Sequence, residues 1–270
     1  MVYDERVRMV FGLAIVAVAG CDLVFPLEPP AQLDASPLGA CPFLAPTELE
    51  PSIISAFDPS LRGDVLELWF SKNGGASDFD LYSVRRPSLT DPFGAEVAAD
   101  GLNTNVSDTD PALTLDGLRM FYHSDLITEA QRTSATEPFG TGSAHVDLPG
   151  NVVGIDISFD GLRIYYDHVD GLRSQARLSL DTPFLMPATD LGPNRRFPSI
   201  SHDELELFFD DVAGNIYRVL RGSVTARFDG VPELIIAGGD AEISDSGKLL
   251  IFRSLVADRL AVSERSCVDR

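Results

Sequence analysis

The chain has 270 residues, 41 Asp plus Glu against 21 Lys plus Arg, and a formal net charge of −20. That acidity excludes the basic footprint a nucleic-acid backbone needs, and it excludes electrostatic docking on anionic lipid. A hydrophobic content of 44% is too high for a disordered chain, and three Cys are too few for a disulfide scaffold.

The first 20 residues, MVYDERVRMVFGLAIVAVAG, place Arg6 and Arg8 ahead of an apolar run from Met9 to Ala19. That run is about eleven residues long, whereas a spanning helix needs roughly 20, so the layout is that of a secretory signal. It ends Val18-Ala19-Gly20-Cys21, which resembles the lipobox of bacterial lipoproteins: an aliphatic residue, two small residues, then Cys. The resemblance implies that Cys21 is acylated and becomes the N-terminus of an exported protein, anchored in the bacterial cell envelope and facing the periplasm or the cell surface. Two or three acyl chains hold a protein on a membrane where one does not. Residues 21–40 then read as a tether, with four Pro and no periodicity after Cys21.

From residue 41 to 270 the chain reads as one repeated architecture. The segments LTLDGLRMFYHS (113–124), ISFDGLRIYYDH (157–168), ISHDELELFFDD (200–211) and ISDSGKLLIFRS (243–254) share an apolar residue, a hydroxyl residue, a turn and an apolar-aromatic strand. Gly117, Gly161, Glu204 and Gly247 are equivalent, at spacings of 44, 43 and 43. A divergent first copy, DVLELWFS (64–71), puts Val65 at the same place, 52 residues before Gly117. Pro92-Phe93, Pro138-Phe139, Pro183-Phe184 and Arg227-Phe228 keep a second register, with Phe-to-Phe spacings of 46, 45 and 44. Between these markers lie alternating stretches such as DLYSVRR (80–86), NIYRVLR (215–221) and RLAVSER (259–265), which read as half-buried strands. About four short strands per unit at this period predict an all-β fold, a five-bladed β-propeller with four-stranded blades starting near Pro51, Pro111, Ile155, Pro198 and Ala241. A β-sandwich would also show many short strands, but not a fixed interval.

Pro111-Ala112-Leu113-Thr114 with Asp116-Gly117, Pro198-Ser199-Ile200-Ser201 with Asp203, and Gly74-Gly75 followed by Asp80-Leu81-Tyr82 carry a resemblance to WD40-like repeats of the TolB type. The resemblance spans about residues 41–267 and implies the fold strongly and the function weakly, since propellers host many unrelated activities.

The fifth copy runs out at Cys267 without its Phe-marked outer strand, and residues 41–49, CPFLAPTEL, resemble that missing piece. The N-terminal strand is therefore expected to complete the last blade, which removes an unpaired edge at the seam. The same register sets Cys41 beside Cys267, and in an oxidising compartment the two are expected to form a disulfide. Cys21, the odd thiol, is left for lipid.

The innermost strands border the channel of any propeller. Aligned on the turn, their first residues bring Glu50, Asp110, Asp156, Ser199, Asp240 and Glu242 to one channel mouth as candidate binding residues, a negative field suited to a cation or a basic partner segment. Asp78 with Asp80, and Asp108 with Asp110, offer oxygen ligands of the kind Ca²⁺ takes, but neither follows an EF-hand loop and turn chemistry accounts for both. The basic pair Arg195-Arg196 lies on a loop entering the fourth blade, where it could receive a carboxylate or phosphate. The four His form no compact metal motif, and no G-x-S-x-G occurs. No catalytic residue, metal or cofactor is assigned. The expected role is a non-enzymatic scaffold that binds a protein or small ligand at a propeller face or the channel mouth. The alternative is a glycosidase-like, carbohydrate-active enzyme using paired channel carboxylates, although Trp69 is the only Trp available for sugar stacking.

Overall fold

The apolar-aromatic alternation and the turn motifs resolve into twenty strands among the residues that the computed structural model describes, 41–74, 78–150, 152–185 and 187–266. The signal, the tether, Cys21 and Cys267 lie outside the described residues. The N-terminal strand is β1 (Thr47–Glu48). The first blade is β2 (Ala56–Leu61), β3 (Glu67–Asn73), β4 (Phe79–Arg85) and β5 (Val97–Ala98), and the second is β6 (Asp108–Leu113), β7 (Arg119–Ser124), β8 (Leu126–Gln131) and β9 (Ser143–Ala144). The third is β10 (Val153–Ile157), β11 (Arg163–His168), β12 (Gly171–Ala176) and β13 (Thr189–Gly192). The fourth is β14 (Arg196–Ile200), β15 (Glu206–Asp210), β16 (Asn215–Leu220) and β17 (Glu233–Ala237). The fifth has β18 (Gly239–Ile243), β19 (Leu249–Ser254) and β20 (Arg259–Glu264) from the C-terminal end, and β1 pairs antiparallel with β20 to complete it. All five sheets are four-stranded, and the inner strands pack β2 beside β6, β6 beside β10, β10 beside β14, β14 beside β18, and β18 back against β2. This is the five-bladed propeller, closed by its N-terminal strand.

The turn motif explains the regular spacing. Thr114 Oγ1 donates to Asp116 Oδ1 (2.7 Å) and accepts the Arg119 N–H (3.1 Å), while Asp116 Oδ1 also accepts the Leu118 N–H (2.9 Å). Gly117 between them has a φ of 66°, the left-handed region that glycine adopts without strain. Ser158-Asp160 and Ser201-Asp203 build the same turn in the next two blades. In the first blade Val65 holds φ at 60°, a strained position for a β-branched residue where three of the other copies carry Gly.

The core is five separate clusters, each made by two neighbouring blades: Trp69 and Leu81 with Met120 and Phe139, Phe121 with Ile164 and Phe184, Tyr165 with Leu207 and Phe228, Phe208 with Ile243 and Phe252, and Phe70 with Ile251 and Leu260. The Phe of each Pro-Phe pair lies in the approach to the outer strand rather than within it, and a buried or half-buried Arg covers it. Arg86, Arg132, Arg177, Arg221 and Arg265 stand over Phe93, Phe139, Phe184, Phe228 and Phe43 at 4.6, 4.4, 4.7, 4.4 and 4.6 Å. Several of these guanidiniums also cross the blade joint to a carboxylate. Arg132 meets Glu67 with two bonds (3.0 and 2.5 Å), Arg177 meets Glu129 (2.9 Å), and Arg265 meets Glu206 with two (3.0 and 2.6 Å). Stacked and bidentate, arginine suits a joint where lysine would not.

Candidate binding site at the channel mouth

Every inner strand breaks its register with β3, β7, β11, β15 or β19 at the same place. The residue at the break has a left-handed φ in all five: Asp58 (51°), Asp110 (54°), Gly154 (59°), Phe197 (46°) and Asp240 (53°). Asp tolerates this conformation better than most residues because its short side chain bonds locally. The residue after it is Pro59, Pro111, Ile155, Pro198 or Ala241, and a proline that donates no ladder bond fits a bulge. Five bulges turn these positions to the axis, where Asp58, Asp110, Asp156, Asp240 and Glu242 line a space of about 20 Å³, room for about one water-sized atom.

These carboxylates also join the blades. In the deeper layer, Glu242 Oε1 accepts the Leu61 N–H (3.1 Å), Ser60 Oγ the Leu113 N–H (3.1 Å), Asp156 Oδ2 the Ile200 N–H (2.6 Å) and Ser199 Oγ the Ile243 N–H (2.9 Å). The remaining joint has Ala112 in place of an acceptor, and there Asp156 Oδ1 accepts the N–H of Ile157 (2.7 Å). Ser199 Oγ donates onward to Glu242 Oε2 (3.0 Å). In the layer at the mouth, Asp110 Oδ1 accepts the Gly154 N–H (3.1 Å), Asp58 bonds the Asp110 backbone, and Asp240 bonds the Asp58 backbone. Asp210, at the end of β15, accepts the Asp240 N–H (2.7 Å), and its other oxygen is buried with no partner among the described residues.

Burial is the leading influence on each of these acids. It pushes Asp110 up to about 6, Asp156 and Asp240 to about 7, and Asp210 to about 8, with the neighbouring carboxylate of Asp240 adding to the rise of Asp110 and Asp210. Asp58 is raised by burial and by Asp110, and Glu242 by burial and by Asp156. The site therefore gains negative charge as pH rises through the neutral range.

Above this layer opens a depression of about 360 Å³ bordered by Phe57, Phe79 and Phe197, with Arg196 and Arg253 beside Asp58, Asp110 and Asp240. The mouth is thus acidic at its floor and flanked by two guanidiniums, of which Arg253 stands 3.8 Å over the Phe57 ring and Arg196 bonds Asp167 (3.3 Å). Arg195 serves the fold instead, donating to the carbonyls of Leu191 and Phe228 (2.5 and 3.2 Å).

Of the residues singled out in the sequence, Asp110, Asp156, Asp240 and Glu242 line the axial space, and Ser199 bonds Glu242 behind it. Glu50 does not join them. It is exposed, and its carbonyl accepts the Phe93 N–H (3.3 Å) on the way to the first blade. The reason is that the residues after Pro51 run along β20, where Ile53 O accepts the Leu260 N–H (3.0 Å) and Ser55 N–H donates to Asp258 O (2.8 Å), so the inner strand begins later, at Ala56. Asp58 takes the expected place of Glu50, and Asp58-Pro59 repeats Asp110-Pro111 at the 52-residue interval that relates Val65 to Gly117. Asp210 carried no such signal, because it lies on the second strand of its blade. Asp108 accepts from Thr104 N–H and Oγ1 (2.6 and 3.1 Å), a turn bond, and among the described residues no group of three or more His, Cys, Asp or Glu is placed to hold a metal ion.

No protein-family model matches the chain, and no curated protein does. Solved structures match it at low identity. The α-L-arabinofuranosidase PaAbf62A from Podospora anserina, in complex with cellotriose, aligns with a TM-score of 0.57 and 10% identity over 84% of this chain and 95% of that one. The catalytic domain of the Coprinopsis cinerea GH62 α-L-arabinofuranosidase gives 0.57 and 10% over 83% and 95%. A putative TolB from Agrobacterium tumefaciens gives 0.49 and 13% over 78% and 74%. At such identities the arabinofuranosidase likenesses establish the shared fold.

Proposed function

We propose that the chain is an exported, lipid-anchored envelope protein whose propeller binds a partner at the channel mouth and does not turn over a substrate. The observation that carries this reading is the use of the axial carboxylates. They bond backbone N–H groups across the blade joints and leave only about 20 Å³ between them, so they are committed to holding the ring closed and meet a ligand only at the depression above. The floor formed by Asp58, Asp110 and Asp240, with Asp210 behind, is suited to a Lys or Arg side chain of a basic segment, and the aromatic border offers apolar contact for its stem.

An octalysine peptide titrated calorimetrically at pH 8 and low salt tests this. It is expected to bind the wild type and to bind an Asp58→Asn/Asp110→Asn/Asp240→Asn variant at least roughly tenfold more weakly, a loss of about 1.4 kcal/mol. Asn keeps one acceptor oxygen for each inter-blade bond. A control variant with the exposed Glu137, Asp181 and Asp229 neutralised should bind as the wild type does, and equal losses in both would reduce the effect to net charge.

The carbohydrate-active alternative has one observation in its favour: burial lifts Asp110, Asp156 and Asp240 into the range where a carboxylic acid can donate a proton near neutrality. Turnover of an aryl α-L-arabinofuranoside, abolished in Asp156→Asn, would replace the binding reading with that one.

The anchor and the seam rest on the lipobox-like sequence and on the closure. Ser266 N–H donates to Pro42 O (2.9 Å), which brings the chain next to Cys41 and the chain next to Cys267 together. Intact-mass analysis of the protein from a bacterial envelope, without reductant, is expected to show acyl groups on Cys21 as the first residue and two hydrogens fewer than the dithiol for Cys41 and Cys267. An unacylated chain, or two alkylatable thiols, would remove the corresponding half of this assignment.

A further inference from the structure

We propose that the joint between the first and second blades is a binding site for a small planar aromatic carboxylate. The joints that follow fill this position with a large side chain, Leu191 in the third blade, Ile235 in the fourth and, in the second, a histidine ring. There the His145 ring stacks on Phe121 (centroids 5.7 Å apart) and meets Phe184 edge-on (5.4 Å), with Nε2 3.0 Å from Glu129. The backbone identifies the equivalents one blade earlier. His145 N–H donates to Ile127 O (2.7 Å), and Ala99 N–H donates to Leu81 O (2.9 Å). Glu129 is paired with Ser143 on the outer strand, and Ser83 with Val97. Phe121 and Phe184 correspond to Trp69 and Phe139, which meet edge-on at 5.5 Å.

Where the second blade carries His145 and Glu129, the first therefore carries Ala99 and Ser83. The missing ring and carboxylate leave a cavity of about 450 Å³ walled by Trp69, Ser83, Ala99 and Phe139, a volume within the range of small-molecule sites. The indole N–H of Trp69 is buried in its wall with no acceptor among the described residues.

Charge decides the polar end of the ligand. Three guanidiniums, those of Arg62, Arg85 and Arg132, converge on the single carboxylate of Glu67 at 3.1, 2.8 and 2.5 Å. Asp64 matches one of them through Arg62 (2.7 Å), so around Glu67 guanidiniums outnumber carboxylates by three to two. Arg85 lines the cavity with its side chain 44% exposed, so it is the cation within reach of a ligand. Asp100, exposed at the edge, is the one carboxylate in the lining and directs the anionic group inward toward Arg85. A flat ring in the place of His145, with its carboxylate on Arg85, satisfies both walls.

Trp69 is the only Trp in the chain, so its emission reports this site directly. Titration with 2-naphthoate, followed by calorimetry and by Trp69 quenching, is expected to show one saturable site. Ala99→His restores the ring that the second blade carries and should weaken 2-naphthoate roughly tenfold or more. Arg85→Gln, at an accessible position, should weaken 2-naphthoate by about fivefold or more while leaving the neutral 2-naphthamide within about twofold. If Ala99→His fails to fold, the Arg85→Gln contrast decides alone. Equal binding of the non-planar cyclohexanecarboxylate, unchanged binding by Ala99→His, or no saturation with millimolar 2-naphthoate overturns the proposal. None of these variants touches the channel mouth, so this outcome is separate from that of the octalysine titration.

Discussion

Replacing Glu67 with alanine is expected to destabilise the protein by about 3–5 kcal/mol, the cost of removing one partner from a buried ion pair. Glu67 is fully buried, and Arg132, which donates to both its oxygens, is fully buried too. Burial alone would raise the Glu67 pKa, but the bonds and charges of Arg132 and Arg85 outweigh it and hold the group below the ordinary carboxylate range. The pair is therefore ionised, and the alanine variant leaves the Arg132 guanidinium in the joint with only the Gly117 carbonyl (2.6 Å) and the Phe139 ring. Denaturant unfolding at pH 7 measures the loss. Arg85→Gln supplies the contrast: its side chain is 44% exposed and solvent screens it, so less than about 1 kcal/mol is expected. A Glu67→Ala loss no larger than that of Arg85→Gln would show that the crossing bond does not hold the blades together.

The second large effect is an inverted pH profile. For Asp110, Asp156, Asp210 and Asp240 the folded protein holds a proton more tightly than the unfolded chain does, because burial raises their pKa values to about 6, 7, 8 and 7. Their contribution is complete below the unfolded value of about 4 and is lost as pH rises through the folded values. Glu67 and Glu129 act in the opposite direction. Burial pushes Glu129 up, but bonds from His145, Arg177 and Arg119 bring it down to about 2, so its stabilisation is lost only as pH falls toward that value. The melting temperature should consequently peak near pH 4 and fall continuously to pH 8.5, whereas many proteins are most stable between about pH 5 and 8. A net loss of even one pKa unit is about 1.4 kcal/mol, or roughly 3–6 °C for a domain of this size. Asp210→Asn should flatten the alkaline limb, since Asn still accepts the Asp240 N–H without carrying charge. A melting temperature that rises steadily to pH 8.5 would mean that these carboxylates are ionised and compensated in the folded state.

The architecture was open to reading because it is periodic. The hydroxyl-Asp-Gly turn must recur wherever the first strand of a blade hands over to the second, so its spacing counts the blades, and the C-terminal shortfall predicts the closing strand. The position of the first inner strand was harder, because residues 51–55 belong to the path along β20 and break the count that starts at Pro51. Counting backward from Val65 instead reaches Asp58. The arginine series Arg86, Arg132, Arg177, Arg221 and Arg265 keeps spacings of 46, 45, 44 and 44, as regular as the Phe series it covers. Its role was hidden because a charged residue after an alternating strand reads as solvent-facing, and only packing shows that it crosses to the neighbouring blade. The double use of the axial acids was hidden for a related reason. A carboxylate that bonds backbone N–H groups 44 residues away, as Asp156 does with Ile200, has no local sequence signature.

The closure of the fifth blade sets an order of events in time. The first four blades are local: each pairs strands that follow one another closely along the chain, and each can form as its residues are made. The fifth cannot. Ser263 bonds the carbonyl of Leu44 across 219 residues, and β20 has no outer neighbour until β1 and the residues that follow it arrive. Pairing over such a separation is the slow part of folding, because the entropy of closing the loop is lost before the contacts form. During synthesis the stretch around Thr47 therefore emerges first and is used last, and for that interval β20 presents a bare edge on which a second nascent copy could add its own N-terminal strand.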